Sequence, residues 1–97
     1  MSEAIELVVF SAKPGVKDTE LKAAALSVTP ILEKMPGYLS REFGASGDGQ
    51  YVDIVRWKDL SSAQAAAQQV MKIPECGKFF ALIDESKMQF SHFQKVK

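Results

Sequence analysis

The sequence predicts an α+β domain in which four strands form one antiparallel sheet and helices cover one of its faces. Three observations predict it. Four β-branched or aromatic runs are separated by helical patterns, a Gly-Asp-Gly turn joins the middle two runs, and several strands are apolar on both faces. With 46% hydrophobic and 25% charged residues over 97 positions, the chain has the balance of one globular domain spanning residues 1–97.

Residues 4–12, AIELVVFSA, have no helical period and end at Lys13-Pro14-Gly15, which marks a first strand. Leu7 and Val9 point one way, Val8 and Phe10 the other. From Asp18 or Thr19, a side-chain oxygen can cap a helix whose stripe is Leu21, Ala24, Ala25, Val28, Ile31, Leu32 and Met35. Pro30 lacks the N–H that would bond to Leu26, so the helix is expected to kink or break there before Pro36-Gly37 ends it.

Residues 38–46, YLSREFGAS, set Leu39, Phe43 and Ala45 against Ser40 and Glu42, and Gly47-Asp48-Gly49 supplies hairpin chemistry. Residues 51–57, YVDIVRW, form the next strand, with Val52 and Ile54 opposed to Tyr51, Asp53, Val55 and Trp57. Asp59 or Ser61 can cap the alanine-rich helix that follows, Gln64 completing a capping box with Ser61. Pro74 opens a shorter helix, PECGKFFALID, and residues 88–96, MQFSHFQKV, form the last strand, with Met88, Phe90, His92 and Val96 on one side.

The order βαββααβ is the ferredoxin-like split βαβ arrangement with one added helix. In it the first strand lies between the third and fourth. A sheet with helices on one side should have one wet face, yet these strands present large apolar groups both ways. That pattern predicts a second copy of the chain as cover, hence a homodimer.

Twelve Lys and Arg balance twelve Asp and Glu, so the chain lacks the positive footprint that nucleic acid or anionic lipid demands. The single Cys76 cannot form an intrachain disulfide, and MSEAIELVVFSA is acidic where a signal peptide is basic. The expectation is a cytoplasmic protein with neither a nucleic-acid nor a membrane partner. One histidine excludes a multi-histidine metal site within the chain, and the glycine cluster joins strand to strand instead of opening a helix, so neither a metal nor a nucleotide cofactor is implied.

The strand order, PGYLSREF, VDIVRWKDLSSAQAA and the closing FFALIDESKMQFSHF together resemble the antibiotic biosynthesis monooxygenase family of dimeric α/β barrels. The likeness spans nearly the whole chain. It implies two sheets packed face to face across a twofold axis. Some members oxidise aromatic quinol-type precursors with molecular oxygen and no metal or flavin; another branch degrades haem. The haem branch is characterised by an Asn, a Trp and a His whose matching positions here are Val8, Ala66 and Cys76, so haem chemistry is not implied. Of the quinol-oxidising pattern Trp57 matches, while Asp53 stands for an Asn and Ala63 for a Tyr.

Asp53 and Trp57 share a strand face, so a carboxylate beside an apolar wall can serve as a base for a phenolic proton, as can His92 near neutral pH. Asp53 and His92 are therefore the candidate catalytic residues, and Trp57, Tyr51 and Tyr38 the candidate wall for a small aromatic ligand. Each also has a structural reading: Trp57 in the core, Asp53 paired, His92 packed among phenylalanines, Tyr38 at a turn. Arg41, Glu42 and Arg56 read most simply as surface or dimer-edge ion pairs, the alternative being that one arginine binds a ligand carboxylate, and Cys76 reads as a small packed residue. Two function classes follow: a cofactor-independent monooxygenase, or a noncatalytic dimeric module that binds a small ligand or a protein.

Overall fold

A computed structural model describes residues 2–97. Its elements run β1 (Ala4–Ala12), α1 (Asp18–Ser27), α2 (Thr29–Glu33), β2 (Tyr38–Ala45), β3 (Gln50–Trp57), α3 (Leu60–Val70), α4 (Pro74–Phe80) and β4 (Ile83–Gln94). The sheet is antiparallel throughout in the order β2-β3-β1-β4, so β1 lies between the third and fourth strands as the sequence predicts. Among the described residues, no helix is long and apolar enough to cross a membrane.

Alternation along β1 and β3 sorts the side chains. Ala4, Glu6, Val8 and Phe10 stand opposite Trp57, Val55, Asp53 and Tyr51, and this set faces the helices. Phe10, Val55 and Trp57 are almost fully buried there with Leu21 of α1. Ile5, Leu7 and Val9, with Val52 and Ile54, project from the opposite side. Phe93 joins them from β4 and is half exposed.

Pro30 acts as expected, and the long helix splits at Val28 into α1 and α2, with Pro30 in the first turn of the second piece. The caps differ in detail. Lys17 occupies the N-cap position of α1 without a side-chain bond, because the Asp18 carboxylate accepts from the Tyr51 hydroxyl (2.5 Å) and pairs with Lys22 (2.9 Å). Asp59 caps α3 by accepting from Ser62 N (2.8 Å), and Ser61 turns its hydroxyl to the same carboxylate instead of forming a box with Gln64.

The last strand begins earlier than expected. Residues 83 and 84 were readable as the tail of a helix, but Ile83 pairs with Ala12 and Asp84 with Ser11, while Lys13 N donates to Leu82 O (2.9 Å). Ladder hydrogen bonds and the burial of Ile83 outweigh helical continuity. The register of β1 with β4 shifts between Val9 and Ser11, and that of β2 with β3 between Tyr38 and Ser40. The second bulge leaves Leu39 about half exposed and lets Tyr38 share the inward side with Arg41 and Phe43.

At the start of β2, Gly37 has φ 87°, and a Cβ there would lie 2.5 Å from Ser62 Oγ and 2.6 Å from Ser62 Cβ. Its carbonyl accepts from Lys58 N (2.7 Å), which locks this approach of the β2 entry to the end of β3. Gly15 has a similar φ of 88° but open space around it. Gly15→Ala should therefore cost about 1–2 kcal/mol, the penalty of left-handed backbone alone, whereas Gly37→Ala should cost about 3 kcal/mol or more because the clash adds to it. Urea unfolding of both variants checks this, and equal losses would contradict the packing role of Gly37.

Candidate functional site

Between the helix-facing side of the sheet and its helical cover lies a cavity of about 320 Å³. Its floor is built from two neighbouring rows of residues that run across the strands. One row is Arg41, Val55, Glu6 and His92, the other Phe43, Asp53, Val8 and Phe90, and all of these but His92 and Phe43 line the cavity. Directly opposed residues in a sheet stand close enough to interact, so topology alone brings Glu6 of β1 against His92 of β4. His92 Nε2 lies 3.1 Å from Glu6 Oε1, and both side chains are largely buried.

Val28 and Leu32 from the α1–α2 unit, Val70 and Met71 at the end of α3, and Phe79 and Phe80 of α4 close the cavity above. Phe90 and Met71, both well exposed, stand at its open side. The wall is thus apolar apart from Glu6, Arg41, Asp53 and Glu85.

Arg41 and Asp53 form a bidentate pair. Nε donates to Oδ1 (2.9 Å) and Nη2 to Oδ2 (2.6 Å). The guanidinium also donates from Nη1 to Ala25 O (2.6 Å) and Thr29 Oγ1 (2.9 Å), on either side of the helix break. Local sequence explains the geometry: with the helix interrupted before Pro30, the Ala25 carbonyl takes Val28 N at 3.2 Å and has room for Arg41. Only 2% of the Arg41 side chain and 11% of that of Asp53 are exposed, so desolvation makes an unpaired member costly.

Glu6 differs. Burial pushes its carboxyl above the ordinary value of 4.5, and the hydrogen bond and positive charge that His92 offers pull against that rise. Nearby Asp53 raises it further while Arg41 lowers it. A carboxylate in these surroundings is a stronger base than an exposed one and has a hydrogen-bonded partner to orient it.

Of the residues that the sequence singles out, Asp53 lines the cavity and His92 meets Glu6 at its floor. The three aromatic residues lie elsewhere. Trp57 is buried in the next row along, under α3, with Tyr38 packed edge-on at 5.9 Å. Its Nε1–H has no hydrogen-bond partner among the described residues. Tyr51 stacks on Phe10 (5.6 Å) and Phe43 (6.0 Å) and sends its hydroxyl to Asp18, which raises its pKa. Cys76 is buried, and desolvation raises its thiol pKa.

Arg41 is not the surface ion pair its sequence suggested: it shares the inward side of β2 with Phe43, which carries it under α1 and α2. Arg56 and Glu42 do form an exposed pair, at 3.5 Å. Glu6 is marked in the sequence as the one charge on the face otherwise formed by Ala4, Val8 and Phe10. Among the described residues, no group of three His, Cys, Asp or Glu side chains is placed to hold a metal ion.

Arg41→Met should destabilise the fold by about 3–5 kcal/mol, since it leaves Asp53 buried without its counter-charge. Arg41→Met combined with Asp53→Leu should recover most of that loss. Chemical denaturation of the two variants decides it, and a double variant as unstable as the single one would refute the assignment of the cost to the orphaned carboxylate.

No family model matches the sequence, and no curated protein matches it. Solved structures do. SnoaB, a cofactor-independent oxygenase from Streptomyces nogalater, superposes with a TM-score of 0.83 at 17% identity, covering 100% of this chain and 96% of that one. A Bordetella bronchiseptica protein provisionally named an antibiotic biosynthesis monooxygenase gives 0.81 at 19% identity with 100% of both chains covered. A protein of unknown function from Nitrosomonas europaea gives 0.75 at 18% identity, over 100% of this chain and 92% of the other. The chain thus has the ferredoxin-like α+β fold of the antibiotic biosynthesis monooxygenase type of protein, over its whole length.

Proposed function

We propose that this protein binds a small aromatic or quinol-type molecule in the 320 Å³ cavity and oxidises it with molecular oxygen, with the Glu6–His92 pair as the proton acceptor. The observation that carries the reading is a buried carboxylate of raised pKa on an apolar wall. The fold shared with an oxygenase that needs no cofactor supports it.

In this mechanism Glu6 takes a proton from the activated CH₂ of an anthrone-type substrate, and His92 holds the carboxylate in place. The resulting carbanion is delocalised into the ring and passes one electron to O₂. Recombination forms a C–O bond, the peroxide regains the proton from Glu6, and loss of water leaves a ring carbonyl. The apolar walls keep bulk water from the carbanion. Asp53 keeps Arg41 neutralised, since both its oxygens already accept from that residue, and Trp57, Tyr51 and Tyr38 support the floor from the adjoining rows.

Oxygen uptake with an anthrone should exceed its spontaneous oxidation. Glu6→Gln should lower kcat/KM by about 100-fold and His92→Asn by about tenfold. Because the base must be ionised, the wild-type rate should rise with pH through a midpoint above the 4.5 of an ordinary glutamate, and Glu6→Gln should flatten that limb. Uptake no faster than in buffer across a panel of anthrones and quinols, with binding retained, would instead favour the noncatalytic ligand-binding module.

The sheet face that carries Ile5, Leu7, Val9, Val52 and Ile54 has no helix over it, and we assign it to pairing with a second copy of the chain. Sedimentation equilibrium should give twice the 10.7 kDa chain mass at micromolar concentration, and Leu7→Lys should halve it. A wild-type monomer under those conditions would rule the pairing out.

A further inference from the structure

We propose that the cavity above β1 and β3 selects hydroxy-aromatic molecules without formal charge and rejects the same ring systems when they carry a carboxylate. This rests on the reading of that cavity as the ligand site.

The charged groups on its wall are three acids, Glu6, Asp53 and Glu85, and one cation, Arg41. An arginine in an apolar pocket is ordinarily the group that would clamp a carboxylate, through two parallel N–H donors. Here that fork is taken. Nε and Nη2 both donate to Asp53, and both Nη1 donors are committed to Ala25 O and Thr29 Oγ1, so four of the five N–H groups have partners inside the protein. The charge of Arg41 is cancelled by Asp53 at hydrogen-bond distance.

His92 is the other group able to carry positive charge beside the floor, and it is held against Glu6 at 3.1 Å. An anionic substituent would therefore surrender its hydration to apolar walls and meet the carboxylates Glu6, already engaged by His92, and Glu85, without an available fork. A phenolic hydroxyl has the opposite fit. It brings a donor to a wall whose polar groups are mainly acceptors, and its ring is matched by Val8, Val55 and Phe79.

The experiment titrates the whole chain calorimetrically with 2-naphthol and with 6-hydroxy-2-naphthoate at pH 7.5, where the first is neutral and the second an anion. The acid should bind weaker by on the order of tenfold or more, given like charges within a poorly screened cavity. In Glu6→Gln, which keeps an acceptor for the hydroxyl, the ratio should narrow by several-fold while 2-naphthol still binds. Equal or tighter binding of the acid, or an unchanged ratio in Glu6→Gln, overturns the selection and leaves the cavity standing as a ligand site. Failure of both compounds to bind at millimolar concentration overturns the ligand site and this proposal with it.

Discussion

The guanidinium of Arg41 ties together segments that are otherwise separate. It reaches Asp53 on β3, the Ala25 carbonyl at the end of α1 and the Thr29 hydroxyl at the start of α2, while its own backbone belongs to β2. A lysine in its place would present a point charge and could not span these partners with a planar fork. The floor of the cavity, the helix pair above it and the edge strand beside it are thereby held at fixed distances by one side chain. Pro30 is the complement of that arrangement, because the broken helix it enforces leaves the carbonyl accessible.

Across the sheet from Arg41, the same row ends in Glu6 and His92, with Val55 between. The two polar pairs differ in what they can still do. Arg41 and Asp53 satisfy each other with two short bonds and a nearly complete loss of solvent, which is a structural solution. Glu6 shares a single contact with His92 and keeps the character of a desolvated acid, the difference on which the proposed proton transfer rests.

Much of this was legible in the sequence. Element order, the helix break at Pro30 and the inward set Tyr51, Asp53, Val55 and Trp57 follow from residue type and a period of two. The rest was hidden for identifiable reasons. The bulge that turns Leu39 outward has no glycine to mark it, and Arg41, though on the side of Phe43, reads as a solvated charge until its distant partners Asp53, Ala25 and Thr29 are in place. Ile83 and Asp84 read as helix because they follow a helical run without a breaker, and only their partners on β1, some 70 residues earlier, make them strand. Neither Trp57 nor Tyr51, which the sequence offers as a ligand wall, lines the cavity: each stands two residues along β3 from a lining residue, Val55 or Asp53, a displacement that no local pattern reports.

The alternation of β1 also separates two kinds of heritable change. Glu6 and Val8 face the cavity, whereas Ile5, Leu7 and Val9 face away from it. Substitutions at odd positions of β1 alter the uncovered face of the sheet with little consequence for the cavity, and those at even positions do the reverse. That independence holds only where the pleat is regular. Within the regular stretches one inserted or deleted residue would exchange the sets, whereas the two bulges are the points at which this sheet already absorbs a residue out of step.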